Sequence, residues 1–426
     1  MSLRTNLFLA ALLACGTVVA QDERTSLADR LADDYDLDFS GFSELRGGVR
    51  LQDDPHEEDT SIAEARLMLD FGKYMGGVSL RLKGELGGDM VGEEAIADLR
   101  EANLSFSPSG KVDCKLGRQI VTWGTGDMLF INDVFPKDWE SFFIGRDDEY
   151  LKKPSDALRV GLFTDAVNLD LVYEPRQNAS RYIDGSRLSY WNGPLNRAAG
   201  EDAVFHDHER NRYFRDGDAA LRLSRNAEGV EYAAYAYWGF WSTPEGLDPA
   251  AMKLVYPELS VYGGSVRGPL WGGISQFEFG YYDSREDRSG SDPLLRNSEI
   301  RLLLGHEREL MRNLTCGLQY YLEHKQNYEG YLAGLPTGAP AGDENRHLLT
   351  LRLTQLLMQQ NLRLSLFAYW SPSDHDGYLR PKVNYKITDQ WAAESGANLF
   401  WGRHDYSFWG QFEDNSNFYA GLRRSF

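Results

Sequence analysis

The residues best suited to act on a ligand form two sets of opposite charge. Basic side chains recur near the C-terminus, at Arg346, Arg352, Arg363, Arg380, Lys382 and Lys386. An earlier segment is acidic, with Asp127, Asp133, Asp138, Glu140, Asp147, Asp148 and Glu149. Clustered Arg and Lys side chains attract anions, and an opposing acidic segment sets up a field between the two. The alternative is that the charges neutralise one another, as Glu394 would if it lay beside Lys382.

Residues suited to catalysis or metal binding form no recognisable motif. His206, Asp207 and His208 are possible metal ligands, but no fourth ligand is evident, and a solvated loop is the simpler interpretation. His324 and His404 have acidic neighbours, which leaves an Asp–His hydrolytic pair open. We therefore predict no catalytic residue, no metal and no cofactor.

Apolar and polar residues alternate with a period of two along much of the chain. In residues 78–86, apolar Val78, Leu80, Leu82 and Leu86 alternate with polar Ser79, Arg81, Lys83 and Glu85. Successive side chains of a strand point to opposite faces, so this pattern predicts strands with one apolar and one wet face. A helix would instead scatter the leucines around its axis.

Such segments number about 18, within a range of 16–18. Their predicted bounds are 37–51, 62–72, 77–86, 97–107, 111–118, 156–163, 167–174, 217–225, 230–241, 258–267, 271–282, 297–307, 311–323, 346–358, 361–371, 377–387, 390–402 and 415–426. Each is close to the 9–11 residues that cross a bilayer at a tilt. The sequence therefore predicts an all-β fold, a transmembrane antiparallel β-barrel of the outer-membrane type.

The connections between these strands support the prediction. Every second connection is short, as at 73–76, 107–110, 164–166 and 388–389. The others are mostly longer and polar, as at 87–96, 119–155, 175–216, 242–257 and 324–345. Short periplasmic turns that alternate with long outer loops are typical of outer-membrane barrels.

The two ends of the chain are consistent with a location in the outer membrane. Residues Met1–Ala20 have the pattern of a signal peptide, followed by a periplasmic segment, 21–36, and the barrel, 37–426. An alternative is a lipoprotein box that would leave a lipidated Cys15 as the mature N-terminus. The strand ending at Phe426 resembles the C-terminal strand that the barrel-insertion machinery of Gram-negative bacteria recognises, although Arg424 departs from that pattern. Outer-membrane lipid and lipopolysaccharide are the expected surroundings.

The segment after the fifth predicted strand carries the most distinctive motif. It reads Gly117-Arg118-Gln119, then Trp123-Gly124, with Asp127 and Pro136 downstream. Over residues 110–175 the chain resembles poorly characterised outer-membrane barrels related to the alginate-export porin family, which share a Gly-Arg-Gln…Trp-Gly turn at the start of a long loop. The resemblance implies an export or uptake channel of roughly 18 strands. It implies no particular substrate.

The loop 119–155 is far longer than a connection needs, and such loops are usually functional. Its many aromatic and aliphatic residues would be costly in open water, so we predict that it folds into the barrel and narrows the lumen. Arg118 would anchor it to the wall and Trp123 would pack it, with Asp127 and Asp133 beside the constriction. The alternative is an outer loop that packs on its neighbours or on lipopolysaccharide.

These features together predict a channel for passive transport. Its solutes would be small and anionic or carboxylate-bearing, or saccharides, and the loop would form the constriction. A barrel that serves as a sheath or scaffold for a partner in export or electron transfer is the main alternative. A hydrolase at the outer rim is a more remote one. We expect no nucleic-acid partner, and the sequence names no periplasmic partner.

Overall fold

The computed structural model describes residues 34–426. The predicted signal peptide, the alternative site at Cys15 and nearly all of the segment 21–36 lie outside the described residues. The first strand begins at Asp38, one residue after its predicted start.

The described chain consists mainly of strands, which we number β1 to β22. Their bounds are β1 Asp38–Arg50, β2 Thr60–Met75, β3 Val78–Asp89, β4 Glu94–Ser109, β5 Val112–Gln119, β6 Ser155–Phe163, β7 Asn168–Glu174, β8 Tyr190–Asn192, β9 Arg197–Ala199, β10 Asp218–Ala227, β11 Val230–Phe240, β12 Gly246–Asp248, β13 Lys253–Val255, β14 Glu258–Leu270, β15 Gly273–Ser284, β16 Glu299–Met311, β17 Leu314–Lys325, β18 Asn345–Leu357, β19 Leu362–Ser371, β20 Asp376–Lys386, β21 Trp391–Gly402 and β22 Asn417–Ser425. The short pairs β8–β9 and β12–β13 are hairpins within loops. The other strands form one 18-stranded sheet, which confirms the predicted number.

This sheet closes on itself. Each barrel strand pairs antiparallel with the barrel strand before and after it along the chain, and β22 pairs with β1. The seam continues beyond the strand end, where the backbone N–H and carbonyl groups of Gly41 and Phe426 exchange two hydrogen bonds of 3.0 Å. Closure leaves no unpaired strand edge, which is the condition for strands to cross lipid.

The alternation of side chains sorts the wall into two faces. Leu82 and Leu86 are exposed on the outer surface of β3, whereas Glu85 between them is buried in the interior. Exposed aromatic residues cluster near both ends of the outward face. One set comprises Tyr173, Trp238, Tyr262, Trp370 and Trp401, and the opposite set comprises Phe163, Tyr232, Trp271 and Tyr385. An apolar band between two aromatic girdles is the surface that an outer-membrane barrel presents to lipid.

The connections are sorted by side, as the sequence predicted. On the side of the barrel where β1 begins and β22 ends, turns are as short as 76–77, 110–111, 228–229, 271–272 and 312–313. The longest loops lie on the opposite side, namely 120–154, 175–217, 241–257 and 326–344. By this asymmetry the first side is periplasmic and the second is outer.

Helices are few and short in the described part of the chain. Two α-helices lie wholly within residues 34–426, namely α1, Trp139–Phe143, and α2, Tyr328–Gly334, each within an outer loop. None of the helices in residues 34–426 is long and apolar enough to cross a membrane.

Candidate functional site

The connection between β5 and β6, residues 120–154, folds into the barrel, and we call it the inward loop. Its residues touch strands on all sides of the wall. The Tyr369 hydroxyl on β19 donates to the Met128 carbonyl at 3.0 Å, and the Trp123 indole donates to Asp170 on β7 at 3.2 Å. Arg46 on β1 donates to the carbonyl of Gly145. A loop that reaches opposite walls must cross the lumen, which confirms the predicted inward fold.

A single carboxylate on β15 holds the first part of the inward loop. Glu278 is fully buried and accepts hydrogen bonds from the backbone N–H groups of Thr125 at 2.8 Å, Gly126 at 3.2 Å and Asn132 at 2.7 Å. The Thr125 hydroxyl and the Asn132 side-chain amide donate to it as well, both at 2.9 Å. These donors replace the water that the buried charge has lost, so Glu278 fixes the loop to the wall.

Aromatic packing holds the base of the loop. The Trp123 ring lies edge-on to Phe135 with centroids 5.0 Å apart, and it approaches Tyr235 of β11 at 6.1 Å. Trp123 is buried, and edge-to-face pairs of this kind add to the stabilisation from apolar burial. Trp123 is thus packed between the loop and the wall.

The short helix α1 carries the deepest apolar contacts of the loop. Asp138 caps it by accepting a hydrogen bond from Ser141 N–H at 2.8 Å. The cap orients Phe142 and Phe143 towards the wall. Phe143 lies within 6.1 Å of Tyr378 and 5.6 Å of Phe400 by ring centroid. A stack of aromatic rings on β19 to β21 thus receives the helix.

Four ion pairs join the loop to the basic side of the wall. Arg352 on β18 donates to Asp127 at 2.6 Å and lies 3.5 Å from Asp148. Arg380 on β20 donates to Asp148 at 2.7 Å. Lys382, two residues further along β20, lies 3.8 Å from Asp147. The structure thus brings together Asp127, Arg352, Arg380 and Lys382, and we call this group with Asp147 and Asp148 the latch.

The acids of the latch have shifted pKa values. Burial works against their charge, but the neighbouring cations together outweigh it, so both carboxyl pKa values lie below the usual range. These cations are chiefly Lys382 and Arg423 at Asp147, and Arg380 and Lys382 at Asp148. At Asp127 burial outweighs the attraction of Arg352, and its pKa is raised. Asp127 is therefore the acid of the latch that protonates first.

The remaining predicted residues of the basic wall occupy different depths. Arg346 lies near the outer end of β18 and binds Asp374 at 2.7 Å. Arg363 lies near the periplasmic end of β19, where it is exposed and donates to Asn384 at 3.0 Å. Lys386 is exposed at the periplasmic end of β20 and pairs with Asp389 at 2.7 Å. The pairing of Lys382 with Glu394 that the sequence suggested is present at 2.8 Å.

Two predicted residues have other surroundings than expected. Asp133 is buried inside the loop, where it accepts a hydrogen bond from Thr122 at 2.7 Å and pairs with Lys137 at 3.0 Å. It braces the loop from within. Arg118 lies on the lipid-facing side of β5, two residues after the exposed Leu116, and binds Asp156 of β6 at 2.8 and 2.9 Å. Because side chains alternate, Arg118 cannot reach the lumen, and Glu278 has the anchoring role that was predicted for Arg118.

Some residues that hold the loop were not identified from sequence. Arg146 is buried in the second half of the loop and donates to Glu64 of β2 at 2.5 Å and to Ser141 at 2.7 Å. Arg187 of the loop 175–217 approaches the same Glu64 at 3.4 Å. Alternation places Glu64 and Glu278 on the inward face, but it gives no signal of which loop residue each one meets.

A cavity of about 1360 Å³ lies on the outer side of the inward loop. Its floor includes Met128, Phe130 and Trp139 of that loop. Its walls carry many aromatic residues, namely Tyr182, Tyr190, Trp191, Phe205, Phe240, Trp241, Tyr282, Tyr321, Tyr331, Tyr369, Tyr406, Phe408 and Trp409. Three arginines also line it, namely Arg296, Arg301 and Arg346. This volume suffices for a small organic molecule, so we call the cavity the vestibule.

The arginines of the vestibule are already paired with acids. Arg296 binds Glu299 at 2.7 Å and Glu245 at 3.0 Å, and Arg301 binds Glu299 at 2.7 Å. Within residues 34–426 no group of three or more His, Cys, Asp and Glu side chains is arranged to hold a metal ion. The site is thus an aromatic vestibule above a charged constriction.

Comparison with known proteins gives neighbours in structure only. A scan against protein-family models gave no match, and a search of curated protein sequences gave none either. The fold is similar to that of OccAB1 of Acinetobacter baumannii, with a TM-score of 0.56 and 9% identity over 92% of this chain and 97% of that one. OccD3 (OpdP) of Pseudomonas aeruginosa has a TM-score of 0.53 and 11% identity, over 92% and 91% of the two chains.

A third neighbour is OccK11 (OpdR) of Pseudomonas aeruginosa, with a TM-score of 0.51 and 11% identity over 91% of this chain and 95% of that one. The likeness covers nearly the whole barrel in each case and concerns the fold. Together with the closed sheet and the two aromatic girdles, it identifies the chain as an outer-membrane β-barrel with a porin-like fold.

Proposed function

We propose that the protein is a passive channel for small anionic or carboxylate-bearing solutes, or for saccharides, constricted by the inward loop. The single observation that carries the proposal is the position of this loop. It lies between an open vestibule on the outer side and a set of exposed cations towards the periplasm. A loop that narrows a barrel without leaving it is the usual means of limiting solute size.

The charges beside the loop favour an anionic solute. The carboxylates that occupy Arg352 and Arg380 come from the loop itself, at Asp127 and Asp148. A solute carboxylate has the same chemistry and would compete for the same guanidinium groups. Below the latch, Arg363 and Lys386 are exposed and would attract an anion leaving the constriction.

The vestibule supports solutes with a ring or another apolar part. Aromatic faces stack on sugar rings and aromatic acids, and the vestibule offers many of them. Its arginines add few free donors, because Glu245, Glu299 and Glu323 surround Arg296 and Arg301. We therefore assign size selection to the inward loop and selection for an apolar part to the vestibule. Charge selection belongs to the latch and to the exposed Arg363 and Lys386 below it.

The loop argues against the sheath or scaffold. A sheath needs an open bore for its partner, whereas here the inward loop is tied to Glu278, Arg46 and Arg352 across the lumen. The relation to the alginate-export barrels remains part of the proposal. It is supported by Trp123, which lies packed at the base of the loop, and by Gly117, whose φ of 115° favours glycine. No enzymatic activity is proposed.

The surroundings proposed for the barrel are outer-membrane lipid, lipopolysaccharide and the barrel-insertion machinery. Strand β22 supports the last of these, since Phe418 and Leu422 are exposed to lipid and Phe426 pairs with the first strand. Arg424 lies beside Trp391 with its guanidinium carbon 5.8 Å from the ring centroid. A long cation at the interface is tolerated there.

The test is the reversal potential in planar bilayers under a salt gradient. We expect the wild type to prefer anions, and we expect the double variant Arg363→Gln/Lys386→Gln to lose much of that preference at nearly unchanged conductance. The matched control is Lys253→Gln, which removes an exposed cation from the outer hairpin β12–β13. Cation preference in the wild type, or equal shifts in the double variant and the control, would refute charge selection by the wall.

A further inference from the structure

We propose that the outer rim of the barrel at β5 to β7 and β10 carries a binding site for a phosphate group of lipopolysaccharide. The site is formed by Arg176, Arg212 and Arg215 with the exposed rings of Tyr213 and Phe214. It lies on the outside of the barrel and does not depend on the transport function.

The backbone places these residues at the membrane surface. The last residue pair of β7 and β10 is Glu174 with Asp218. Beyond it, the segments that follow β7 and precede β10 are still joined by backbone hydrogen bonds. Phe214 N–H donates to the Pro175 carbonyl and Gln177 N–H to the Asp216 carbonyl, both at 2.6 Å. The patch therefore begins two or three residues beyond the strand ends, and each residue of a strand spans about 3.3 Å. At this distance beyond the apolar band, the patch lies level with the lipid headgroups.

The lipid-facing surface continues directly below the patch. Tyr173 and Leu171 on β7 are exposed to lipid, and Tyr173 belongs to the outer aromatic girdle. At the end of the same surface, Arg118 of β5 and Asp156 of β6 form a pair with two hydrogen bonds, of 2.8 and 2.9 Å. Charged pairs of this kind on the outward face of a barrel are tolerated near the interface and disfavoured at the middle of the bilayer.

The two aromatic residues are unusually exposed. Phe214 is 81% exposed and Tyr213 is 59% exposed, although both belong to a loop whose other parts pack into the lumen. Phe214 also has a φ of 63°, which is rare for a bulky residue. A phenyl ring held in this way gains nothing in water, but it gains apolar contacts if acyl chains surround it. Aromatic side chains at this height are typical anchors in the membrane interface.

The arginines retain free donors beside these rings. Arg176 lies 3.8 Å from Asp156 and over the Tyr213 ring at 5.2 Å, which leaves its N–H groups without a close acceptor. Arg212 uses only its Nε in bonding to Asp216, at 3.2 Å. The side chain of Arg215 makes no hydrogen bond or ion pair with any residue of 34–426. One guanidinium group can donate two parallel hydrogen bonds to the oxygens of a phosphate. Basic side chains next to aromatic rings that insert into the membrane interface bind anionic lipids.

The experiment measures binding of lipid A to the delipidated protein in detergent, with dephosphorylated lipid A and inorganic phosphate as comparison ligands. We expect the wild type to bind diphosphoryl lipid A, and the variant Arg176→Gln/Arg212→Gln/Arg215→Gln to bind at least ten times more weakly. Phe214→Ser should weaken binding by a smaller factor. The matched control, Arg197→Gln/Arg288→Gln/Arg403→Gln, removes three exposed arginines of the outer side that lie outside this patch and should bind as the wild type does.

Each other outcome overturns the proposal. Equal binding by the triple variant and the wild type would show that these arginines do not contact the lipid. An equal loss in the control would indicate attraction by the net charge of the loops alone. Equal binding of dephosphorylated lipid A would exclude phosphate recognition, and full competition by inorganic phosphate would exclude a role of the acyl chains. The heat-modifiable migration of each variant on gels reports whether its barrel is folded.

Discussion

A buried carboxylate on the wall decides where the first half of the inward loop lies. Glu278 accepts three backbone and two side-chain hydrogen bonds from Thr125, Gly126 and Asn132. Hydrogen bonds to a charged group each contribute about 1.5–3 kcal/mol, and donors left without an acceptor in a buried site incur a further cost. The loop therefore depends on one residue more than on any pair of the latch.

Glu278→Gln should loosen the loop without unfolding the barrel. The amide keeps one acceptor oxygen, but it loses the charge and turns a donor group towards the donors of the loop. We expect faster cleavage of residues 120–154 by protease and a noisier, larger single-channel conductance. The control Glu231→Gln alters a carboxylate that pairs with Arg222 on the wall and should behave as the wild type does. Identical loop cleavage in Glu278→Gln and the wild type would contradict the anchoring role.

The residue scale also shows how far alternation predicts a site. Counting by two from the exposed Leu116 puts Arg118 on the lipid face, so alternation by itself argues against the anchoring role that was predicted for Arg118. The same counting puts Arg352, Arg380 and Lys382 inside, where the structure has them. It does not predict the bonding of Glu278 or Arg146, because those partners lie more than 80 residues away in the chain. Contacts at such separation are fixed by the path of the loop.

At the scale of elements, the strands were predictable and the interior of the loops was not. All 18 barrel strands lie within a few residues of their predicted bounds, because each has to alternate over a full crossing of the membrane. The predicted bounds of the loop 87–96 are wrong. Strand β3 continues to Asp89 and β4 begins at Glu94, with these two residues paired. The strands extend beyond the bilayer, where alternation is no longer imposed by lipid.

The latch should respond to pH in two steps. Because burial raises the pKa of Asp127, acidification neutralises this residue first, at a pH above the ordinary aspartate pKa of about 3.9. Arg352 then loses its contact with Asp127 and keeps the one with Asp148. The pKa values of Asp147 and Asp148 are lowered, so their contribution to loop stability is complete above their ordinary values and is lost only as pH falls through the lowered ones. Anion selectivity should therefore rise at mildly acidic pH, and the loop should open only below about pH 4.

Reversal potential and conductance measured between pH 7 and pH 3 separate the two steps. In Asp127→Asn the first step should be absent, and at neutral pH Arg352 should keep only its contact with Asp148. The control Asp53→Asn changes an exposed acid of an outer loop and should retain both steps. A single large rise in conductance near pH 5 would contradict a latch in which Asp127 protonates before Asp147 and Asp148.

At the scale of the whole molecule, charge and apolarity are separated in space. The net charge of −19 implies little about selectivity, because lipid, lumen and outer loops each see a different part of it. Exposed leucines and girdle aromatics form the outward face, whereas the charged pairs lie inside or at the rims. The closed barrel was predictable, since lipid permits few ways to pair every backbone group. The contacts within its lumen could not be predicted from the sequence.

The most direct test of the central claim compares the single-channel conductance of the wild type in planar bilayers with that of a variant lacking residues 125–150. If the inward loop is the constriction, the wild type has a small anion-selective conductance and the deletion raises it several-fold. Replacement of residues 249–252, the exposed tip of the outer hairpin β12–β13, by two glycines serves as the control and should change conductance little, because these residues do not line the vestibule. Equal conductance in all three proteins, or none in any of them, would contradict a channel constricted by this loop.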